Sequence, residues 1–219
     1  MRKSYQSLKV TDNGGPIGRA TVIVAVAWLS AIVVGMVVII DRSNSPGHSR
    51  TPPAHWPTRS QIPRDKNNPT LIMFAHPRCP CTWASLGELE LLLAQCPGRF
   101  SAHVMFIRPA GTAEDWADTR LWRKAAAIAG MNVHRDETGV EARRFCSETS
   151  GHTVLYDERG RLLFQGGITG SRGHSGDNPG RTAITAISRN EIAHLLGTPV
   201  FGCSLFEADC QEQGVECTN

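Results

Sequence analysis

The chain has 219 residues, enough for one small domain with appendages, and its 23 basic against 20 acidic residues leave it slightly basic, at +3. It has no dense Lys/Arg tract and no basic patch interleaved with aromatics, so nucleic acid is not an expected partner. Seven cysteines are many for a cytosolic protein of this size and too few for a disulfide scaffold. Their odd number leaves at least one thiol unpaired or bonded to another molecule.

Residues 1–19 are polar and carry Arg2, Lys3, Lys9 and Arg19 against the single acid Asp12. Residues 20–40, ATVIVAVAWLSAIVVGMVVII, contain no charge. A hydrocarbon core needs about 20 apolar residues in helix, so this run predicts one membrane-spanning helix. A cleaved signal peptide would carry a shorter apolar stretch of about 7–15 residues and a small-x-small site after it, and neither is present. The positive flank keeps the N-terminus in the cytoplasm and sends the remainder outward. In a bacterium that makes a single-pass protein of the cytoplasmic membrane with a periplasmic or extracytoplasmic domain, where disulfides persist. Residues 41–69, with Pro46, Pro52, Pro53, Pro57, Pro63 and Pro69 among polar residues, read as an extended, solvated linker. His48, His55 and Trp56 fall in it.

Residues 70–95 open with the apolar run Leu71-Ile72-Met73-Phe74-Ala75. They turn through His76-Pro77-Arg78 into Cys79-Pro80-Cys81, then place Trp83, Leu86, Leu89 and Leu93 at steps of three and four. A buried strand running into a helix with two cysteines at the junction suits dithiol chemistry. The unpaired N–H groups and partial positive charge of a helix N-terminus favour thiolate over thiol, and Arg78 adds a fixed charge beside Cys79.

These residues resemble the thioredoxin-like superfamily, in particular its membrane-tethered bacterial thiol–disulfide members. More narrowly, HPRCPCTWASLGEL with the later GGITGSRGH resembles RedB-type proteins. The resemblance covers roughly residues 70–203 and implies an α/β, three-layer fold with a central mixed sheet, preceded by the transmembrane helix. The family usually carries Cys-x-x-Cys, whereas one residue separates the cysteines here. Either Cys79 is the exposed nucleophile on the outer side of the turn and Cys81 resolves, which is the preferred assignment, or Pro80-Cys81 matches the family's Pro-Cys end and Arg78 stands at the usual nucleophile position.

Further along, Cys96-Pro97-Gly98 stops the helix, with Cys96 as a packing residue. SAHVMFI, residues 101–107, predicts a second strand parallel to the first. Thr112-Ala113-Glu114-Asp115 resembles a capping box opening a helix with Trp116, Leu121, Ala125 and Ile128 on its apolar face. Trp116 and Trp122 read as packing residues. Met131–Arg135 is a short strand, Val140–Phe145 a short helix, and Thr153–Phe164 a hairpin. In the family a cis-proline precedes the first hairpin strand and faces the cysteines, whereas this chain has Ser150-Gly151-His152. Gly151 permits close backbone approach. His152 either faces the dithiol or is a polar strand-end residue. Residues 166–180, GGITGSRGHSGDNPG, lack phosphate-loop spacing and read as a lid or substrate-contacting loop bringing His174 near the dithiol. Asn178-Pro179 then caps and opens a helix running through Ile184, Ile187, Ile192, Leu195 and Leu196. The tail from residue 204 holds Cys210 and Cys217, which repeat the interval of seven from Cys203. A disulfide within this set, or from Cys203 to Cys146 or Cys96, is expected.

The leading functional expectation is a thiol–disulfide oxidoreductase of protein thiols and disulfides. Cys79 and Cys81 are its catalytic residues, with His76, Arg78, Gly151, His152 and His174 in support. It needs no cofactor beyond its redox-active disulfide. The alternative is a Cu(I)-binding or delivery protein in which Cys79 and Cys81 with His174, or His76, supply soft S/N ligands. A tethered assembly module with an inert disulfide ranks third.

Overall fold

The alternating side chains of one apolar strand set the layers. In the computed structural model, which describes residues 18–206, strand β1 (Thr70–Ala75) is buried at every position. Leu71, Met73 and Ala75 enter one core, while Ile72 and Phe74 enter another on the opposite face. A strand covered on both faces reads as a continuous apolar run, which is the pattern seen in the sequence.

Strand β1 is joined through helix α2 (Thr82–Gln95) to strand β2 (Ser101–Arg108), which pairs with it in parallel. Helix α3 (Arg120–Ala126) leads to strand β3 (Met131–Glu137), parallel to β2. Helix α4 (Val140–Arg144) is followed by strands β4 (His152–Tyr156) and β5 (Leu162–Gly166), an antiparallel hairpin that pairs against the other side of β1. Helix α5 (Pro179–Ser188) closes the series. The five-stranded sheet runs β3-β2-β1-β4-β5. Helices α2, α3 and α5 cover one face, and α4 with Ile62 and Trp56 covers the other.

The region expected to open as one capped helix at Thr112 is divided. A single 3-10 turn spans Glu114–Ala117, and α3 starts afresh with Thr119 as its cap. The Thr112 hydroxyl instead donates to the Pro109 carbonyl at 2.7 Å. Trp83, expected on the packed face of α2, is 55% exposed under the Lys124 ammonium. Helix α5 stops at Ser188 rather than continuing to Leu196. Asn190 takes φ 58 and the expected core residue Ile192 is 86% exposed.

The proline-rich segment is not a free tether throughout. Pro52 and Pro53 are buried, and the Pro53 carbonyl accepts from the Tyr156 hydroxyl at 2.8 Å. The Trp56 ring meets Phe145 and Tyr156 edge-on at 5.2 and 5.4 Å. Apolar burial and a satisfied phenol outweigh the extended bias of the prolines here.

Residues up to Arg42 form a separate unit from those beginning at Ser43. Helix α1 (Arg19–Asn44), all but its last two residues in the first unit, includes the expected span 20–40 and has no buried residue. At 1.5 Å per residue its 26 residues reach about 39 Å, long and apolar enough to cross a membrane. Residues 1–17 and the tail cysteines Cys210 and Cys217 lie outside the described residues.

Candidate dithiol site

The central strand delivers the cysteines to the edge of the sheet. After Ala75 the chain folds back, and the Cys79 N–H donates to the His76 carbonyl at 3.1 Å. A second turn follows, with the Thr82 N–H on the Cys79 carbonyl at 3.1 Å. Cys81 is the N-cap of α2 and already has helical dihedrals. Pro80 fits because a proline at a helix entry presets φ and gives up an N–H that would lack an intrahelical partner. The turn is pinned from the hairpin side. The His76 N–H donates to Ser150 Oγ at 2.8 Å, and Thr82 Oγ1 shares a 2.8 Å hydrogen bond with the same oxygen.

Exposure of the two thiols is the reverse of that expected. Cys79 is 1% exposed, and Cys81 is the partly open one. The sequence reading also omitted the group that covers Cys79: Cys203, whose Sγ lies 2.7 Å from Cys79 Sγ and whose backbone N–H points at the same sulfur at 3.4 Å. Cys203 is held there by backbone pairing across the Glu148–Ser150 turn. Its carbonyl accepts from the Ser150 N–H at 2.8 Å, and the Leu205 N–H donates to the Glu148 carbonyl at 2.8 Å. A Cβ on Gly202 would stand 1.9 Å from the Ser150 oxygen, so only glycine allows this approach.

Cys79, Cys81, Cys96 and Cys203 are free thiols, which removes the expected bonds from Cys203 to Cys146 or Cys96. Cys146 is disulfide-bonded, and its partner is none of those four. Cys96 packs at the end of α2 with its sulfur 3.1 Å from the Ser188 hydroxyl, as its packing role required.

The three site thiols differ electrostatically. Burial pushes Cys79 up, but hydrogen bonds from the Cys203 thiol and N–H, the Thr82 hydroxyl and the Cys81 N–H outweigh it and hold Cys79 below the ordinary thiol value. Burial, the adjacent Cys79 charge and the hydrogen bond with Cys79 raise Cys81, with Arg172 opposing. Burial and the hydrogen bond and charge of Cys79 push Cys203 up to about 12, again against Arg172. Cys79 is therefore the thiol favoured as thiolate, despite its burial.

Arg78 does not supply the expected charge to the dithiol. Its guanidinium lies over the Trp116 ring at 4.5 Å. His76 packs edge-on against that ring at 5.6 Å, and its Nδ1 accepts from the Arg78 N–H at 3.2 Å. Trp116 is thus a rim residue beside the cysteine turn. The cation acting on Cys81 and Cys203 is Arg172, which also donates to the carbonyls of Ser45, at 3.1 Å, and Gly202. His152 faces inward. It is fully buried, with Nδ1 3.0 Å from Ser147 Oγ and Nε2 3.3 Å from Gln165 Oε1, and burial lowers it to about 4. Gly151 adopts φ +92 and donates to the Phe74 carbonyl at 2.8 Å, so close backbone approach is its role. A Cβ there would meet Ser85 Oγ at 2.9 Å.

The glycine-rich loop is fastened to α2 by Glu88, fully buried on the helix. Its carboxylate accepts from the Gly176 N–H at 2.8 Å and Asn178 Nδ2 at 3.1 Å and pairs with Arg181 at 2.9 Å. His174 is exposed. Cys79, Cys81 and His174 are not gathered as a ligand set, and among the described residues no group of three or more His, Cys, Asp or Glu side chains is arranged to hold a metal ion.

No family model and no curated protein matches the chain. Among solved structures it resembles a hypothetical protein from Sinorhizobium meliloti 1021, with TM-score 0.55 and 16% identity over 72% of this chain and 96% of that one. It also resembles an uncharacterized conserved protein from Geobacillus kaustophilus, with TM-score 0.52 and 18% identity over 75% and 94%. A pneumococcal exposed lipoprotein thioredoxin from Streptococcus pneumoniae gives TM-score 0.42 and 16% identity over 57% and 86%. Likeness at these identities concerns the fold, and the domain from Ser43 onward shows a central mixed five-stranded sheet between helical layers.

Proposed function

We propose that this chain is a membrane-tethered thiol–disulfide oxidoreductase acting on protein disulfides outside the cytoplasm through its Cys79-Pro80-Cys81 dithiol. Cys79 carries the reading. It sits in the turn between the central strand and helix α2, and the Cys203 thiol and N–H placed against its sulfur favour the thiolate. The thiolate is the attacking species in disulfide exchange. Cys79 attacks a substrate disulfide to give a mixed disulfide, and the cycle ends with the internal bond between Cys79 and Cys81, two residues on. The partly open Cys81 and the packed group of His76, Arg78 and Trp116 adjoin the same turn. The reaction needs no resident cofactor. The resemblance of the Cys79 turn and the glycine-rich loop to RedB-type proteins supports the same reading.

The test is a titration of the full-length chain in detergent with glutathione redox buffers, read by alkylation and mass spectrometry, with a parallel sample given Cu(I). A reversible two-electron transition at Cys79 between about −120 and −270 mV, the range of exchange catalysts, is expected. Absence of any reversible bond at Cys79, with one-to-one copper protection of both thiols, overturns it in favour of metal handling.

A further inference from the structure

Three free thiols meet in one cluster, with Cys81 and Cys203 both against Cys79, yet the dithiol motif accounts for only two of them. The third arrives from a segment beyond the last strand, and the fold commits several groups to holding it. Gly202 lacks the Cβ that would strike the Ser150 carbonyl. Ser150 and Glu148 pair with Cys203 and Leu205 through backbone hydrogen bonds of 2.8 Å. Arg172 caps the Gly202 carbonyl. The outcome is a sulfur 2.7 Å from Cys79 Sγ, within an ångström of the about 2.05 Å of a disulfide bond.

We propose that Cys203 is the resolving thiol of this site, forming a Cys79–Cys203 disulfide that Cys81 then opens. This rests on the oxidoreductase reading above and extends it. In the first step the Cys79 thiolate attacks a substrate disulfide, forming Cys79–S–S–R and releasing the other substrate sulfur as thiolate, which takes a proton from solvent. In the second, Cys203 loses its proton and attacks Cys79 Sγ. The Cys79–substrate bond breaks, and the second substrate sulfur leaves with the electron pair and is protonated. The substrate has gained two electrons, and the Cys79/Cys203 pair has lost them. In the third, the Cys81 thiolate attacks Cys79 Sγ and expels Cys203, which recovers a proton. This step is an exchange with no net oxidation, and it leaves the bond at the accessible Cys79–Cys81 position, where an external dithiol can reduce it.

Electrostatics suit the second step. While Cys79 is anionic, its charge keeps Cys203 protonated and donating. Once Cys79 is bonded to a substrate sulfur that charge is gone, while Arg172 remains to favour the Cys203 thiolate.

The experiment uses the full-length chain in detergent, as native protein and as Cys81→Ser, Cys203→Ser and Cys203→Ala. Each is reduced, pulsed with oxidised glutathione, quenched by alkylation and mapped by mass spectrometry, with circular dichroism as the marker of intact folding. Cys81→Ser is expected to yield the Cys79–Cys203 disulfide. Both Cys203 variants are expected to keep the Cys79–glutathione adduct at least tenfold longer than native protein. A Cys81→Ser protein that stops at the glutathione adduct, alongside native protein that forms only Cys79–Cys81, overturns the assignment of Cys203 and leaves the oxidoreductase reading standing. If no protein forms any reversible bond at Cys79, the oxidoreductase reading fails and this assignment fails with it.

Discussion

The sulfurs of Cys79 and Cys203, 124 positions apart in the chain, lie 2.7 Å from each other because Gly202 lets two backbones meet. A methyl group at that glycine must displace the Ser150 carbonyl. Gly202→Ala should slow formation of the Cys79–Cys203 bond in a Cys81→Ser background and cost roughly 1–3 kcal/mol of stability, as overpacking does. The check is crosslinking after an oxidised-glutathione pulse beside a denaturant titration. A crosslinking rate equal to that of the Cys81→Ser parent would show that Gly202 does not set the approach.

The alkylation rate of Cys79 should rise with pH and reach half its maximum at lower pH than that of an ordinary thiol, because hydrogen bonds favour its thiolate. Cys203→Ala removes the thiol donor while keeping the backbone N–H, so the half-maximum should move to higher pH. Iodoacetamide labelling across a pH series, quantified on the Cys79 peptide, measures both. An unmoved profile in Cys203→Ala rejects the hydrogen bond as the cause.

Stability should fall as pH drops from about 6.5 toward 4. His152 is held neutral in the fold, where burial lowers it to about 4, whereas the unfolded state binds a proton near 6.5. That difference is worth up to about 3 kcal/mol. His103, lowered to about 4 by burial and by the neighbouring His134, adds in the same window. Asp136, raised to about 6 by burial, acts in the opposite sense, since the native state binds its proton first. Urea titrations of native protein and His152→Asn at pH 7 and 4.5 should show a smaller pH dependence in the variant.

Glu88→Ala leaves Arg181 without its buried partner and frees the Gly176 N–H and the Asn178 amide. A loss of about 3–5 kcal/mol is expected, with new proteolytic cleavage in residues 170–178. Denaturation and limited proteolysis followed by mass spectrometry check it. Unchanged stability would mean that water replaces the carboxylate without cost.

Helix α1 should keep the chain in the membrane fraction through alkaline washing. Removal of residues 1–42 should release the domain in soluble form. In intact cells a membrane-impermeant thiol reagent should label Cys81 if the domain lies outside the cytoplasm. Labelling only after lysis would reverse the topology.

Much of the scaffold was legible because burial has a period. The doubly buried β1, the β4–β5 hairpin and the Asn178-Pro179 entry to α5 follow from local pattern and cap chemistry. Helix length was less legible. Ile192, Leu195 and Leu196 keep helical spacing but find nothing to pack against, so the helix ends at Ser188. Trp56 shows the converse, a residue in a proline-rich stretch recruited by Phe145 and Tyr156. Within the site, the turn around Cys79 and the Ser150-Gly151-His152 stretch facing it could be located, but Cys203 and the reach of Arg172 could not. Each depends on contacts between distant positions, which leave no mark on neighbouring residues.

Synthesis proceeds in one direction, and that gives the placement of Cys203 a temporal meaning. Cys79 and Cys81 emerge from the ribosome well before Cys203, which follows Cys79 by 124 residues. An oxidant meeting the unfinished chain finds Cys79 and Cys81 side by side in the turn, with Cys203 still to come. The first bond available during biogenesis is therefore the short Cys79–Cys81 one. The three-thiol arrangement is reached only by a chain that has completed its sheet and laid its final segment against the Ser150 turn.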